Sequence, residues 1–71
     1  MQITGIVVFE DLEGGIWGIV GDDGIRYQIM NELPQSVREP GRHIEVEAEE
    51  ADAVTIYQWG RPVKIVSARL D

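Results

Sequence analysis

Short runs of alternating or β-branched apolar residues, separated by turn-forming residues, make up nearly all of this chain. In Gln2–Glu10, Ile3, Gly5, Val7 and Phe9 fall on one face and Thr4, Ile6 and Val8 on the other, the period of a strand. Both faces are apolar near its centre, which predicts a strand covered on both sides. Ile16–Gly21 is the second strand, with Ile16, Gly18 and Val20 alternating with Trp17 and Ile19. Ile25–Met30 is the third, with Ile25, Tyr27 and Ile29 opposed to Arg26, Gln28 and Met30. Arg42–Glu50 alternates most cleanly: Ile44, Val46 and Ala48 face one way, Glu45, Glu47 and Glu49 the other. Val54–Trp59 and Val63–Leu70 complete the series.

The joins carry turn chemistry. Asp11–Gly15 is an acidic turn ending in two glycines, and Gly21-Asp22-Asp23-Gly24 is a tight hairpin signal. Within Asn31–Gly41, Pro34 suits the first position of a short helical turn, Leu33 and Val37 are spaced to cap a barrel end, and Pro40-Gly41 ends it. Ala51-Asp52-Ala53 breaks the chain before Val54, and Gly60-Arg61-Pro62 turns it. Gly18, inside a strand, predicts a bend, a bulge or the close approach of another chain. Five or six short strands in an all-β chain of this length bury enough surface only by closing on themselves. The expected fold is therefore a small five- or six-stranded Greek-key barrel, the OB-fold, in a single domain over 1–71, with one short helical turn after the third strand.

Composition narrows the function. A chain of 71 residues without cysteine has neither a large core nor a disulfide or thiolate–metal staple. Thirteen acidic against six basic residues leave a net charge of −7, which disfavours phosphate backbones and anionic membranes alike. The opening MQITGIVVFEDLE has no basic leader and no long apolar run, so neither a signal peptide nor a membrane helix is expected, and the location expected is cytoplasmic.

Chemistry is equally bounded. His43 is the sole histidine, and Ser36 and Ser67 have no neighbouring base in the sequence. Asp22-Asp23 lacks the further oxygen ligands, at fixed spacing, of a cation loop. No catalytic residue, metal or cofactor is expected. The glutamates at 45, 47 and 49 are expected to be solvated and partly paired with Lys64, Arg69 or Arg61 across strands. The candidates that remain are aromatic. Trp17 and Tyr27, with Ile6, Val8 and Ile19, would form an apolar patch if they share the outer face. Tyr57 and Trp59 share a strand face and either cover a barrel opening or, beside Arg61, clamp an extended ligand.

Several stretches resemble the cold-shock domain, one branch of the OB-fold. They are Gly5-Ile6-Val7-Val8-Phe9, Gly15-Ile16-Trp17-Gly18-Ile19-Val20, Asp22-Asp23-Gly24, Ile25–Ile29, Pro40–Glu47 and Gly60-Arg61-Pro62-Val63-Lys64-Ile65-Val66. The resemblance implies a single-stranded nucleic-acid site in which Phe9, Trp17 and Tyr27 are stacking platforms. The departures point elsewhere. Ile6 and Val8 stand where the family has lysines, Ile19 replaces a motif aromatic, and the family's second-motif histidine is missing. Two expectations follow. One is a non-enzymatic binding module that recognises a protein partner or a second copy of itself through an apolar, aromatic face. The other is weak, sequence-tolerant binding of single-stranded RNA or DNA. In both, Phe9, Trp17, Tyr27, Tyr57, Trp59 and Arg61 are the candidate binding residues.

Overall fold

The structure is a computed structural model and describes residues 1–12, 14–52 and 59–71. Its strands are β1 (Gln2–Glu10), β2 (Ile16–Gly21), β3 (Arg26–Ile29), β4 (His43–Glu50) and β5 (Arg61–Leu70). They close into a barrel in the order β1-β2-β3-β5-β4. Every neighbouring pair is antiparallel except β3 and β5, which run parallel. This is an OB-like arrangement: a three-stranded meander, a connection across the barrel end, and a hairpin that closes the wall.

The alternation in β1 explains how one strand serves two neighbours. Its first half pairs with β4 and its second with β2, and Gly5 lies opposite both Ile44 and Gly21. A Cβ at Gly5 would come within 2.2 Å of the Val20 carbonyl oxygen, so the crossing needs a residue without a side chain. Ile3 and Val7 turn inward, while Thr4, Ile6 and Val8 are half-buried on the outside. The inward set of β4, Ile44, Val46 and Ala48, meets them across the core with Ile19, Tyr27, Ile29, Val63 and Ile65.

In β5 the period of two is interrupted once. Ala48 pairs with Ile65, but the adjacent Glu47 pairs with Ser67. Val66 is therefore an inserted residue, a β-bulge. It shifts the later inward set to Ala68, which packs against the core.

Three expectations differ from the structure. The segment after β3 holds turns instead of a helical turn: Val37 N–H donates to Pro34 O at 3.0 Å, but the next bond, Arg38 to Gln35, stretches to 3.3 Å. Pro40 disfavours helical geometry at Glu39 and stops any extension. Leu33 and Val37 nonetheless cap the core, at 3% and 1% exposure. Arg61-Pro62 is strand, not turn, because it pairs with Tyr27 and Gln28. Pro62 is tolerated there because the bond at this position runs to its carbonyl, from Ala51 N–H at 3.0 Å. The third strand is also shorter than Ile25–Met30. The strand expected over Val54–Trp59 lies, apart from Trp59, outside the described residues.

Beyond Ile29 the β3–β5 ladder is continued by a side chain. Asn31 Nδ2 donates to Ile65 O at 2.9 Å, and Ile65 N–H donates to Asn31 Oδ1 at 2.8 Å. No helix among the described residues is long and apolar enough to cross a membrane.

Candidate functional site

The aromatic residues divide between two places. Trp59, just before β5, lies against the outer wall at Gly18. A Cβ on Gly18 would sit 2.4 Å from Trp59 Cζ3 and 2.8 Å from the Tyr27 carbonyl oxygen. The mid-strand glycine is thus the seat of an indole. Arg26, on the outward side of β3, places its guanidinium carbon 5.4 Å from the centroid of the Trp59 ring, a cation–π distance. Gly60 presses on the Arg26 backbone, where a Cβ would meet the carbonyl oxygen at 2.8 Å.

The second place is the barrel end beside the β1–β2 turn. Phe9 and Trp17 are register partners, and their ring centroids lie 4.9 Å apart at an interplanar angle of 52°, within the range of favourable aromatic pairs. Trp17 is half-buried against the core, while Phe9 is 44% exposed. A shallow depression of about 270 Å³ opens beside Trp17, with Gln28, Met30 and Asn31 on its far side.

Tyr27 belongs to neither place. Its ring is in the core at 6% exposure, with its hydroxyl 3.5 Å from Asp23 Oδ2. Its register partner Ile19 is also fully buried. The apolar patch expected to combine Ile6, Val8, Trp17, Ile19 and Tyr27 is therefore split. Ile6 and Val8 face outward, whereas Ile19 and Tyr27 face the core. Arg61 is exposed and ion-paired with Glu50 at 3.1 Å. Tyr57 lies outside the described residues.

Three of the six cations, Arg42, Arg61 and Arg69, are paired with carboxylates. Arg69 holds Glu45 through its Nε at 2.7 Å and also through Nη2. Arg42 pairs with Glu39 at 2.7 Å, and Lys64 stands opposite Glu49 in the β4–β5 register. Of the cross-strand pairs expected for the glutamate row, Glu45–Arg69 is formed, while Glu47 meets the Met1 amino group and Arg61 pairs with Glu50 instead. The Arg69 hydrogen bonds hold the Glu45 carboxyl below its ordinary pKa, against a smaller opposing effect of desolvation. Arg26 is the cation that stands beside an exposed-wall aromatic.

One cluster was not foreseen from the sequence. His43 Nε2 lies 3.0 Å from Asp22 Oδ1, and its Nδ1 lies 2.7 Å from Asp71 Oδ2. An imidazole that donates from both nitrogens is the protonated form. The pKa of His43 is accordingly raised, chiefly by the hydrogen bond to Asp22, with Asp71 adding to it and desolvation opposing. The only sequence signal was an Asp in the hairpin turn and a His at a strand start; the β1 crossing brings them together. The neighbouring Asp23 is engaged in its own turn, where its Oδ1 accepts from Ile25 N–H at 2.9 Å.

No protein-family model, curated protein or solved structure matches the chain.

Proposed function

We propose that this chain is a non-catalytic binding module on an OB-like barrel that recognises a protein partner. The recognition surface is the outer wall where Trp59 lies on Gly18 beside Arg26, together with the Phe9–Trp17 pair at the barrel end. The observation that carries this reading is the disposition of charge. Arg42, Arg61 and Arg69, three of the six cations, are ion-paired, and the net charge is −7, so phosphates would meet little positive charge. Aromatic and arginine anchors surrounded by polar residues are the usual energetic centres of protein interfaces.

A second reading rests on Arg26 over Trp59. In OB barrels the β2–β3 face and the neighbouring loops are where single strands bind, and a ring with an adjacent cation is a base-stacking platform. The resemblance to cold-shock domains belongs to this reading. The missing lysines in β1 and the charge of −7 weigh against it.

The test is cross-linking from position 9 in cells, using a photoreactive residue in place of the exposed Phe9, followed by titration of the purified captured protein. Binding at least tenfold weaker for Phe9→Ala or Trp59→Ala than for the wild type is expected. Equal binding by both variants and the wild type would refute the proposed surface.

A further inference from the structure

We propose that a protein partner docks through a basic segment at the barrel end beside the β1–β2 turn, with an arginine laid on the Phe9–Trp17 pair and held by the carboxylates of Glu10, Asp11 and Glu32. The inference rests on the protein-partner reading above and adds the chemistry of the partner.

The depression at this end has a structural origin. The β2–β3 register runs from Val20 and Arg26 to Gly18 and Gln28 and does not continue to Trp17 and Ile29. Beyond it β3 turns toward β5, where Met30 N–H donates to Val63 O at 2.9 Å and the Asn31 side chain bonds Ile65. The depression of about 270 Å³ opens where the pairing stops, between residues 15–17 and 28–31. Phe9 flanks it. A Cβ on Gly15 would meet Phe9 Cζ at 2.8 Å, so the ring lies on that glycine. Trp17, Ile29 and Met30 give the depression apolar walls. Gln28, only 5% exposed, also lines it, and its side-chain amide is hydrogen-bonded to no described residue. An amide both donates and accepts, which suits a peptide backbone.

Charge selects the occupant. Glu10 stands opposite Ile16 in the β1–β2 register, and Asp11 follows it in the turn. Glu32 follows Asn31 on the other side of the depression. Among the described residues none of these three carboxylates is ion-paired, whereas Glu39, Glu45, Glu47 and Glu50 each hold a cation. Arg38, half-buried in the segment after β3, is a single cation against the three. The faces of aromatic rings attract cations, and arginine combines stacking on a ring with two-point bonding of a carboxylate. The chain makes such a contact with its own residues, Arg26 over Trp59 at 5.4 Å. The net charge of −7 draws a basic segment and repels an acidic one.

The test is an NMR titration of the 71-residue chain with a short unstructured peptide alternating arginine and valine. Its glutamate–valine counterpart and single-stranded DNA are the controls. The arginine peptide should shift the Trp17 indole N–H and the Gln28 side-chain amide saturably, and bind more weakly as salt is added. The controls should shift neither. Glu10→Gln combined with Asp11→Asn should weaken binding at least fivefold, and so should Phe9→Ala. Glu47→Gln combined with Glu49→Gln removes the same charge from β4 and should change binding less than twofold, which separates the site from the attraction of the whole chain. Urea midpoints establish that each variant is folded; if Phe9→Ala is not, Phe9→Leu takes its place. Equal losses in the two double variants, no saturable shift with the arginine peptide, or equal shifts with a control overturn the proposal. A folded Phe9 variant that binds the peptide as the wild type does overturns both the proposal and the surface on which it rests. Capture from position 9 of a partner whose bound segment is acidic or neutral overturns the basic chemistry alone.

Discussion

Replacing Asn31 with alanine isolates a place where a side chain substitutes for a strand. β3 ends at Ile29, Met30 N–H reaches Val63 O at 2.9 Å, and the Asn31 amide then bonds both backbone groups of Ile65. Each neutral hydrogen bond contributes about 0.5–1.5 kcal/mol net, so losing both should cost about 1–3 kcal/mol. Asn31 is itself exposed, so water can reach the freed groups and the loss should fall toward the lower end of that range. Asn31→Asp is the informative companion. It keeps the acceptor for Ile65 N–H but offers no donor to Ile65 O and sets a carboxylate beside it. Urea denaturation of the three proteins should give both variants lower midpoints with unchanged slopes. Amide exchange supplies a local readout: Ile65 N–H should lose protection in Asn31→Ala and retain part of it in Asn31→Asp. Wild-type midpoints in both variants, or protection at Ile65 that ignores the substitution, would refute the idea that Asn31 continues the ladder.

Other consequences follow from the same geometry. Gly18→Ala should destabilise the barrel by about 1–3 kcal/mol through overpacking and shift the emission of Trp59, because the new methyl meets both the indole and the Tyr27 carbonyl; an unchanged midpoint and spectrum would show that Trp59 is not seated there. Leu33→Ala should cost about 2–5 kcal/mol in chemical denaturation if a turn segment caps the core, and far less if it is only draped over it. The pKa of His43 is raised, so its stabilisation is full below the unfolded value of about 6.5 and is lost as pH rises through the folded value. The melting temperature of wild type relative to His43→Ala should thus be higher in mild acid and converge in mild alkali, and a difference that grows with pH would contradict the Asp22–His43–Asp71 bridge.

How far the chain was legible depends on what each residue's role requires. Alternation alone located β1, β2 and β4, because period two survives wherever one face is buried. It did not say which face that was for Tyr27 and Trp17. That choice is made by register, which sets Ile19 against Tyr27 and turns both into the core. Gly18 signalled a special position, but the sequence left a bend, a bulge and another chain open, and the group that approaches is Trp59 of the same chain, distant in sequence. Pro34 and Pro40 looked like the limits of a helical turn; their spacing left too few residues for helical hydrogen bonds, so only the apolar caps Leu33 and Val37 were readable. Pro62 read as a turn because proline lacks a donor, but the strand needs only its carbonyl. The interval Val63, Ile65, Ala68, Leu70 carries the bulge as a skipped beat, visible once the pairing of Glu47 and Ala48 is known. In the glutamate row the Glu45–Arg69 pair was readable because charges on one strand face find opposite charges on the next.

The central claim is that an acidic barrel, with Arg42, Arg61 and Arg69 held by its own carboxylates, leaves an aromatic surface for a protein. Titrating the tryptophan fluorescence with mixed-sequence single-stranded DNA and RNA at low ionic strength, where charge-driven binding is strongest, tests it most directly. The account predicts no saturable change in emission. Saturable quenching that weakens with salt and disappears in Trp59→Ala would contradict it and establish the single-strand reading in its place.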